Sequence, residues 1–403
     1  MKALSWLRVA SAALGLLCLL LLMVSGWALM AGYVPSDAEA FSSIVYLRQK
    51  TAGGAWTRSL HYHLAALAVV AGFVHLLSSY LSGRHADERR AWWAACGLYL
   101  LLLGICFTGY LLPMDQNAYW GTIVRLGIVE TIPGAGPALA GLLRGGPAIN
   151  AATLPRFHAL HVAVLPTLAL FPLLPLARRM KAYVAATGGW RRWLILGLVA
   201  LALLYLVAAL LPAPLETRAD AADSEYVPRP EWYFRWLFQL GKYLEPVPWA
   251  QSLLVPLAGC ALLAALPLLG PRRAVARFVV ALGWCALWVA LTALSYYEDR
   301  GLPAKPPYEE AMRLQAVAHY EKLCLECHGG GGRGDGPQSK IFDLDARDFT
   351  TAEIWLEVPA AEMKRAIRDG KGKDMPEFGK QLSPEEIDAL LVHIRVTFAP
   401  AGL

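Results

Sequence analysis

The chain has 403 residues, 57% of them hydrophobic and 17% charged, with a mean hydropathy of +0.42 and a net charge of +6. A soluble domain carries about 25% charged residues, so this composition excludes a disordered chain and an ordinary soluble enzyme. The charge is divided: 24 Lys/Arg stand against 14 Asp/Glu in residues 1–300, but 13 stand against 17 in residues 301–403. The basic residues lie in short loops between apolar runs, where they set topology. Nucleic acid is therefore not an expected partner.

Seven apolar runs, near residues 6–32, 60–82, 92–112, 155–177, 190–212, 248–270 and 275–296, are read as membrane helices, since about 20 apolar residues span the hydrocarbon core. The first follows Lys2 and Arg8 but runs too long for a signal peptide and lacks a small-residue cleavage site. Basic loops fall on one side: Arg84, Arg89 and Arg90; then Arg178, Arg179, Lys181, Arg191 and Arg192; then Arg272, Arg273 and Arg277. The positive-inside rule makes that side, with the N-terminus, cytoplasmic. Residues 297–403 are then expected outside, in the periplasm or its equivalent. The other loops are longer. Residues 113–154 hold a short amphipathic helix near Val124–Ile132, and residues 213–247 carry Glu225-Tyr226-Val227-Pro228-Arg229-Pro230-Glu231-Trp232-Tyr233. A linker with Pro303, Pro306 and Pro307 leads to short helical patterns and Gly-rich loops from about residue 311. Five of seven cysteines (Cys18, Cys96, Cys106, Cys260, Cys285) sit in apolar runs, as small hydrophobes do.

The other two cysteines carry chemistry. Cys324-Leu325-Glu326-Cys327-His328 has the spacing of c-type haem attachment: two thiols add to the porphyrin vinyl groups and the adjacent histidine reaches the iron. Gly329–Gly332 and Gly334-Asp335-Gly336-Pro337 follow, a loop through which backbone approaches the ring closely. Met375, in Lys373-Asp374-Met375-Pro376, is the expected opposite ligand, and Met/His ligation raises the potential. Met363 is read as a packed helix residue, and His319 and His393 as surface histidines. This tail resembles class I cytochromes c over roughly 90 residues.

In the second apolar run His61 and His75 are 14 residues apart. That spacing puts them within about 40° of one helix face and about 21 Å apart along its axis. Ionisable residues inside a span are functional candidates, and two near opposite ends of one face suit two stacked haems. Further segments have the same direction: Gly26 to Ser43, Arg58-Ser59-Leu60-His61, Gly109-Tyr110-Leu111-Leu112-Pro113 with Trp120-Gly121, Leu143-Arg144-Gly145-Gly146, Thr153-Leu154-Pro155-Arg156-Phe157 leading to His161, and Pro230-Glu231-Trp232-Tyr233.

Together these segments resemble cytochrome b of the bc-type complexes. Residues 190–300 look like the three-helix subunit IV of the split versions. The resemblance implies an all-α chain, a seven-helix transmembrane haem-binding bundle with a small extracytoplasmic cytochrome c domain. It divides into a cytochrome b-like region 1–186, a subunit IV-like region 187–300 and a c domain 301–403. It implies that His61 and His161 hold an outer haem b, that Arg58 neutralises a propionate, and that Gly26 and Gly109 admit the porphyrin edge. Glu231 and Tyr233 match the polar residues of the outer quinol pocket, where a buried carboxylate can accept a proton released on oxidation. His63 and His158 are read as structural or propionate-facing.

The inner haem departs from that pattern. It should be held by His75 and a histidine 14 or 15 residues after His161, but those positions are Pro175 and Leu176. The family's inner glycines are here Ala12 and Ala95, with Gly15 and Gly97 close by but on other faces. A proline in the helix also removes a backbone donor. The inner haem b is therefore expected to be absent or abnormally held. His75 is then either a leftover core histidine or a single axial ligand; Met180, a conceivable substitute for the missing second ligand, lies over a turn too far toward the cytoplasm. One haem b per haem c is the expected content.

The expected function is that of a membrane electron-transfer subunit of a quinol:cytochrome c oxidoreductase-like complex. It would lie in the cytoplasmic membrane, oxidise quinol at the outer face and pass electrons to its own c haem. The chain has no iron–sulfur cysteine set, so a Rieske or other iron–sulfur partner would be separate. A downstream cytochrome or oxidase would accept electrons, and the resemblance implies a homodimer. Two rivals remain: a non-bifurcating haem-bearing anchor that connects a periplasmic oxidoreductase with the quinone pool, and a scaffold that only tethers a cytochrome c.

Overall fold

The computed structural model describes residues 2–186, 189–221, 223, 226–270, 273–302 and 308–400. Glu225, Arg272 and the linker prolines Pro303, Pro306 and Pro307 lie outside the described residues, as do the side chains of Met180, Lys181 and Arg192. The described residues are helical, with only two isolated bridges, Asp115 with Arg218 and Lys371 with Met375.

The helices used below are α1 Lys2–Met30, α2 Gly54–Leu81, α3 Arg89–Gly109, α4 Gln116–Glu130, α5 Leu165–Ala186, α6 Gly189–Leu210, α7 Arg235–Tyr243, α8 Val255–Leu269, α9 Ala274–Glu298, α10 Tyr308–His319, α11 Leu325–His328, α12 Ala360–Asp369 and α13 Pro384–Phe398. Helix α5 is entered through Thr153–Ala159 and a π segment, Leu160–Val164. Five stretches are long and apolar enough to cross a bilayer: Ala3–Met30, Gly54–Leu81, Arg89–Gly109, Thr153–Arg179 and Ala274–Gly301. The other two expected spans are helices with shorter apolar stretches, Leu194–Leu210 and Val255–Leu268. Many large apolar side chains on these helices face outward, Phe171 at 72% and Val275 at 75% exposure among them. Inside lipid a helix satisfies its own backbone, so such side chains need no protein partner.

The chain forms two compact units, Met1–Ala213 with Arg218–Pro303, and Pro214–Thr217 with Ala304–Leu403. In the first, α1 packs along α2, α3 packs on α5, and α2 joins the two pairs into a four-helix bundle. Cys18, Leu64, Ala68, Val69 and Leu102, with Leu204 of α6, form a core cluster there. The expected amphipathic helix is α4, longer than Val124–Ile132 and capped by Asp115, which accepts from the Ala118 amide at 2.9 Å. Arg235 of α7 pairs with Asp299 at 2.6 Å and holds α7 on α9.

In the second unit α10 packs on α13 and α12 on α13. The core is Tyr320, Ile367, Phe378, Leu382, Ile387, Leu390 and Ile394. Ser383 and Glu386 close a capping box at the start of α13. A π segment, Tyr320–Cys324, leads directly into α11.

Candidate haem and quinol sites

His61 on α2 and His161 in the π segment before α5 face each other, with ring centroids 6.2 Å apart. Two metal–imidazole bonds of about 2 Å each put two such centroids about 6 Å apart, so the pair fits an iron between them. Each ring is aimed by its other nitrogen. The His161 Nδ1–H donates to the Ile105 carbonyl at 2.9 Å. The His61 Nδ1 lies 2.9 Å from the Ser25 hydroxyl, which itself donates to the Leu21 carbonyl at 2.7 Å and so accepts from the ring. In both rings Nε2 keeps the lone pair a metal needs.

Two glycines border this pair. A Cβ at Gly109 would lie 2.5 Å from the His161 Cε1, and one at Gly26 would lie 3.3 Å from the His61 Cε1. Both expectations thus find their residues beside the rings. Arg58 donates to the Ala213 carbonyl at 2.9 Å. His63 bonds the Leu211 carbonyl at 2.7 Å, and His158 packs on Tyr33.

Glu231 and Tyr233 stand in a second constellation between α2, α3 and α4. Tyr62, the residue after His61, donates its hydroxyl to Glu231 Oε2 at 3.0 Å. Burial raises the Glu231 carboxyl above the ordinary carboxylate range; the Tyr62 hydrogen bond and the Arg125 charge pull the other way without cancelling it. Burial also raises the Tyr233 phenol. Arg125 of α4 lies over the Tyr110 ring, 4.3 Å from its centroid, and burial lowers its guanidinium. Tyr110 donates to the Arg229 carbonyl at 2.8 Å, which ties α3 to the segment before Glu231. Tyr62, Arg125 and Tyr110 were not singled out from the sequence. A lone cation midway along α4 and a tyrosine between two histidines were the available signals.

In the c domain, Cys324 ends the π segment and Cys327 and His328 lie on α11. Both thiols are free, and burial pushes the Cys324 thiol up to about 12. His328 stacks on Phe349 at 4.5 Å and its Nδ1–H points to the Arg347 carbonyl at 3.3 Å, again leaving Nε2. Gly329, Gly332 and Gly334 have positive φ, and a side chain on any of them would meet neighbouring atoms. Met375 packs against the same core as Cys324 and Leu325. This set fits a covalent haem. His319 and His393, expected at the surface, are half-buried instead: His319 meets Glu386 at 3.3 Å and His393 packs on Tyr320, because both line the seam between α10 and α13.

Residues 5–178 match the family model for cytochrome b/b6/petB, and residues 312–394 match that for cbb3-type cytochrome c oxidase subunit III. Cytochrome b6 of Heliobacterium modesticaldum is 35% identical over 158 residues, 39% of this chain and 74% of the relative. Cytochrome b6 of Synechococcus elongatus is 38% identical over 162 residues, covering 40% and 75%. The chain belongs to the cytochrome b/b6 family. A solved structure titled hyperthermophilic respiratory Complex III shares the fold, with a TM-score of 0.61 over 74% of this chain and 85% of that one at 22% identity.

This cytochrome b is thus a multi-pass membrane electron-transfer subunit with a c-type domain at its C-terminal end. Haem b and haem c are its implied cofactors. At the other end of its bundle, His75 lines a cavity together with Leu176. The family's haem, held by one histidine from α2 and one from α5, does not fit there, because α5 contributes Leu176 to the lining; the cavity's other histidine, His85, comes from the connection after α2. The π segment explains why Leu176 and not Pro175 occupies the matching position. It inserts one residue into the helix, so 15 positions after His161 keep step with 14 after His61.

Proposed function

We propose that this cytochrome b oxidises quinol at the outer face of the membrane and delivers electrons to the haem c of its own C-terminal domain. Haems held by His61 with His161, and by Cys324, Cys327, His328 and Met375, would supply one-electron storage and transfer. Glu231 is the proton acceptor and Tyr233 its neighbour in the quinol pocket. Tyr62 orients the Glu231 carboxylate through the 3.0 Å hydrogen bond. Arg58 and the two ring-edge glycines Gly26 and Gly109 complete the outer haem site. The observation that carries this reading is the aimed His61–His161 pair at 6.2 Å, with the Glu231 carboxyl hydrogen-bonded to Tyr62, the residue next to His61.

Finer parts of the proposal follow from the same reading. The chain joins a cytochrome b-like part (1–186), a subunit IV-like part (187–300) and a c domain (301–403). The c domain lies on the periplasmic side of the cytoplasmic membrane, opposite the basic loops. A separate Rieske or other iron–sulfur subunit takes part in quinol oxidation, a downstream cytochrome or oxidase receives electrons, and two copies pair in the complex. The family's second six-coordinate haem is lost.

The test is quinol-driven reduction of the c haem in purified complex. Glu231→Gln should slow it about a hundredfold, the lower range for removal of a general base, without changing the visible spectrum of either haem. His161→Ala should remove the low-spin b signal and leave the c signal. Unchanged quinol oxidation in Glu231→Gln would exclude this carboxyl as the acceptor.

A further inference from the structure

Arg125, midway along α4, is a cation that neither the fold nor the haem sites use. Other outer-loop arginines are paired: Arg144 with Glu130 at 2.9 Å, and Arg229 and Arg235 with Asp299 at 3.6 and 2.6 Å. Arg125 forms no ion pair among the described residues. Its guanidinium lies instead over two rings, 4.3 Å from the Tyr110 centroid and 5.5 Å from that of Phe107. Such contacts hold a cation by its attraction to the ring face and leave its charge unneutralised.

The ring beneath the guanidinium is fixed. Tyr110 donates to the Arg229 carbonyl at 2.8 Å, Asn117 donates to the same carbonyl at 3.0 Å, and the Asn117 Oδ1 accepts from the Arg229 amide at 2.7 Å. These bonds tie the Tyr110–Arg125 pair to the segment that carries Glu231, two residues further on. The charge of Arg125 is felt by Glu231, and that of Tyr233 by Arg125. Gly121, one turn earlier on α4, leaves room beside the pair: a Cβ there would lie 3.3 Å from the Tyr110 Cε1 and 3.4 Å from the Arg125 Nη1. The positive charge is thus held in place before any substrate arrives, as electrostatic stabilisation requires.

Quinol and quinone are both neutral, but the path between them passes through an anion whenever a proton leaves before an electron. We propose that Arg125 holds the oxygen of that anion, the quinolate, and makes the site selective for a deprotonated ring. This rests on the quinol-site reading above. In the step, a quinol O–H bond breaks and its proton forms an O–H bond on the Glu231 carboxylate. Negative charge passes from the carboxylate to the ring oxygen, and no electron moves. The guanidinium faces one negative charge before and after, so the transfer strands no unpaired charge in a desolvated site. Both electrons leave afterwards, to the iron–sulfur partner and the haem b of that reading.

The experiment compares two inhibitors of quinol oxidation in the purified complex. One is an alkyl hydroxynaphthoquinone, an anion above the pKa of its hydroxyl; the other is its methyl ether, which stays neutral. Inhibition constants are measured against quinol above that pKa. A hydrogen bond to a charged group corresponds to roughly tenfold in affinity, so the unaltered complex should bind the anion about tenfold more tightly than the ether. Arg125→Gln should abolish that preference by weakening the anion alone, and Arg125→Lys, which keeps the charge, should retain part of it. Unchanged low-spin b and c spectra report that the variants are folded. Absence of the preference in the unaltered complex would overturn the proposal, and needs no variant. So would a preference that survives Arg125→Gln, or equal weakening of both compounds, the mark of a packing role. If neither compound competes with quinol in the unaltered complex, the quinol-site reading fails and takes this proposal with it. Competition by both without discrimination sinks the role of Arg125 alone.

Discussion

The rings of His61, His75 and His161 are each held through Nδ1. Ile105, Ser25 and Arg8 supply the acceptors for His161, His61 and His75, and each acceptor sits on a neighbouring helix. Crowding does the rest at the outer site. A side chain at Gly109 would reach the His161 ring, so Gly109→Val should displace it; visible spectroscopy should show loss of the low-spin b signal with the c signal intact. The Tyr62 hydroxyl has a different task. It donates to Glu231 and so favours the charged carboxylate, against burial, which raises the group. Removing it should raise the group further. A hydrogen bond to a charged group contributes about 1.5 kcal/mol, or about one pH unit. In Tyr62→Phe the acidic limb of the quinol-oxidation profile should therefore move upward by about one unit, measured as initial rate against pH. An unmoved limb would mean that the hydroxyl does not orient this carboxyl. At this scale the sequence was informative where chemistry restricts residue type. The thiols, the histidines and Pro230-Glu231-Trp232-Tyr233 stood out. Tyr62 and Arg125 did not, because tyrosine and arginine occur for many reasons and only the packing of α2 and α4 brings them near Glu231.

Two of the three π segments among the described residues share a cause. Leu160–Val164 is followed two residues later by Pro166, and Ala250–Leu254 by Pro256. A proline nitrogen cannot donate to the carbonyl four residues back, and a wider turn lets that carbonyl find another donor. The first segment carries His161, and the third, Tyr320–Cys324, delivers the first haem-attachment thiol, in keeping with the tendency of π turns to lie at functional positions. The extra residue could not be read from the apolar pattern alone, which is why 14 and 15 residues after His161 both had to be considered. Helix α13 shows the opposite case, a boundary written in the sequence. Ser383-Pro384-Glu385-Glu386 is a capping box with proline at the first helical position. Ser383→Ala should destabilise the c domain by about 1 kcal/mol, followed in the full chain as a lower midpoint for denaturant-induced loss of the c-haem absorption band.

For the whole molecule, composition and loop charge determine more than any single residue. The spans were legible because each is an uninterrupted apolar run. Their packing partners were not, since lipid-facing and protein-facing leucines look alike in a sequence. That is also why the two helices with shorter apolar stretches, Leu194–Leu210 and Val255–Leu268, could not be told from the longer ones. The clusters Arg84, Arg89, Arg90 and Arg178, Arg179 predict an orientation. Alkaline phosphatase fused after residue 400 should be active outside the cytoplasm, and the same reporter fused after Arg179 should not. The reverse pattern would place the c domain on the wrong side for the proposed reaction.

The carboxylate of Glu88 lies in the short connection between α2 and α3, and its three arginine partners come from positions 8, 84 and 179. During synthesis the first helical pair and the connection emerge long before Arg179 does. Arg8 and Arg84 can therefore engage the carboxylate while the ribosome is still translating the outer loop. Arg179 arrives last and acts as a latch: closure of the fourth helix onto the nascent bundle is completed by a residue that meets an anion already held in place.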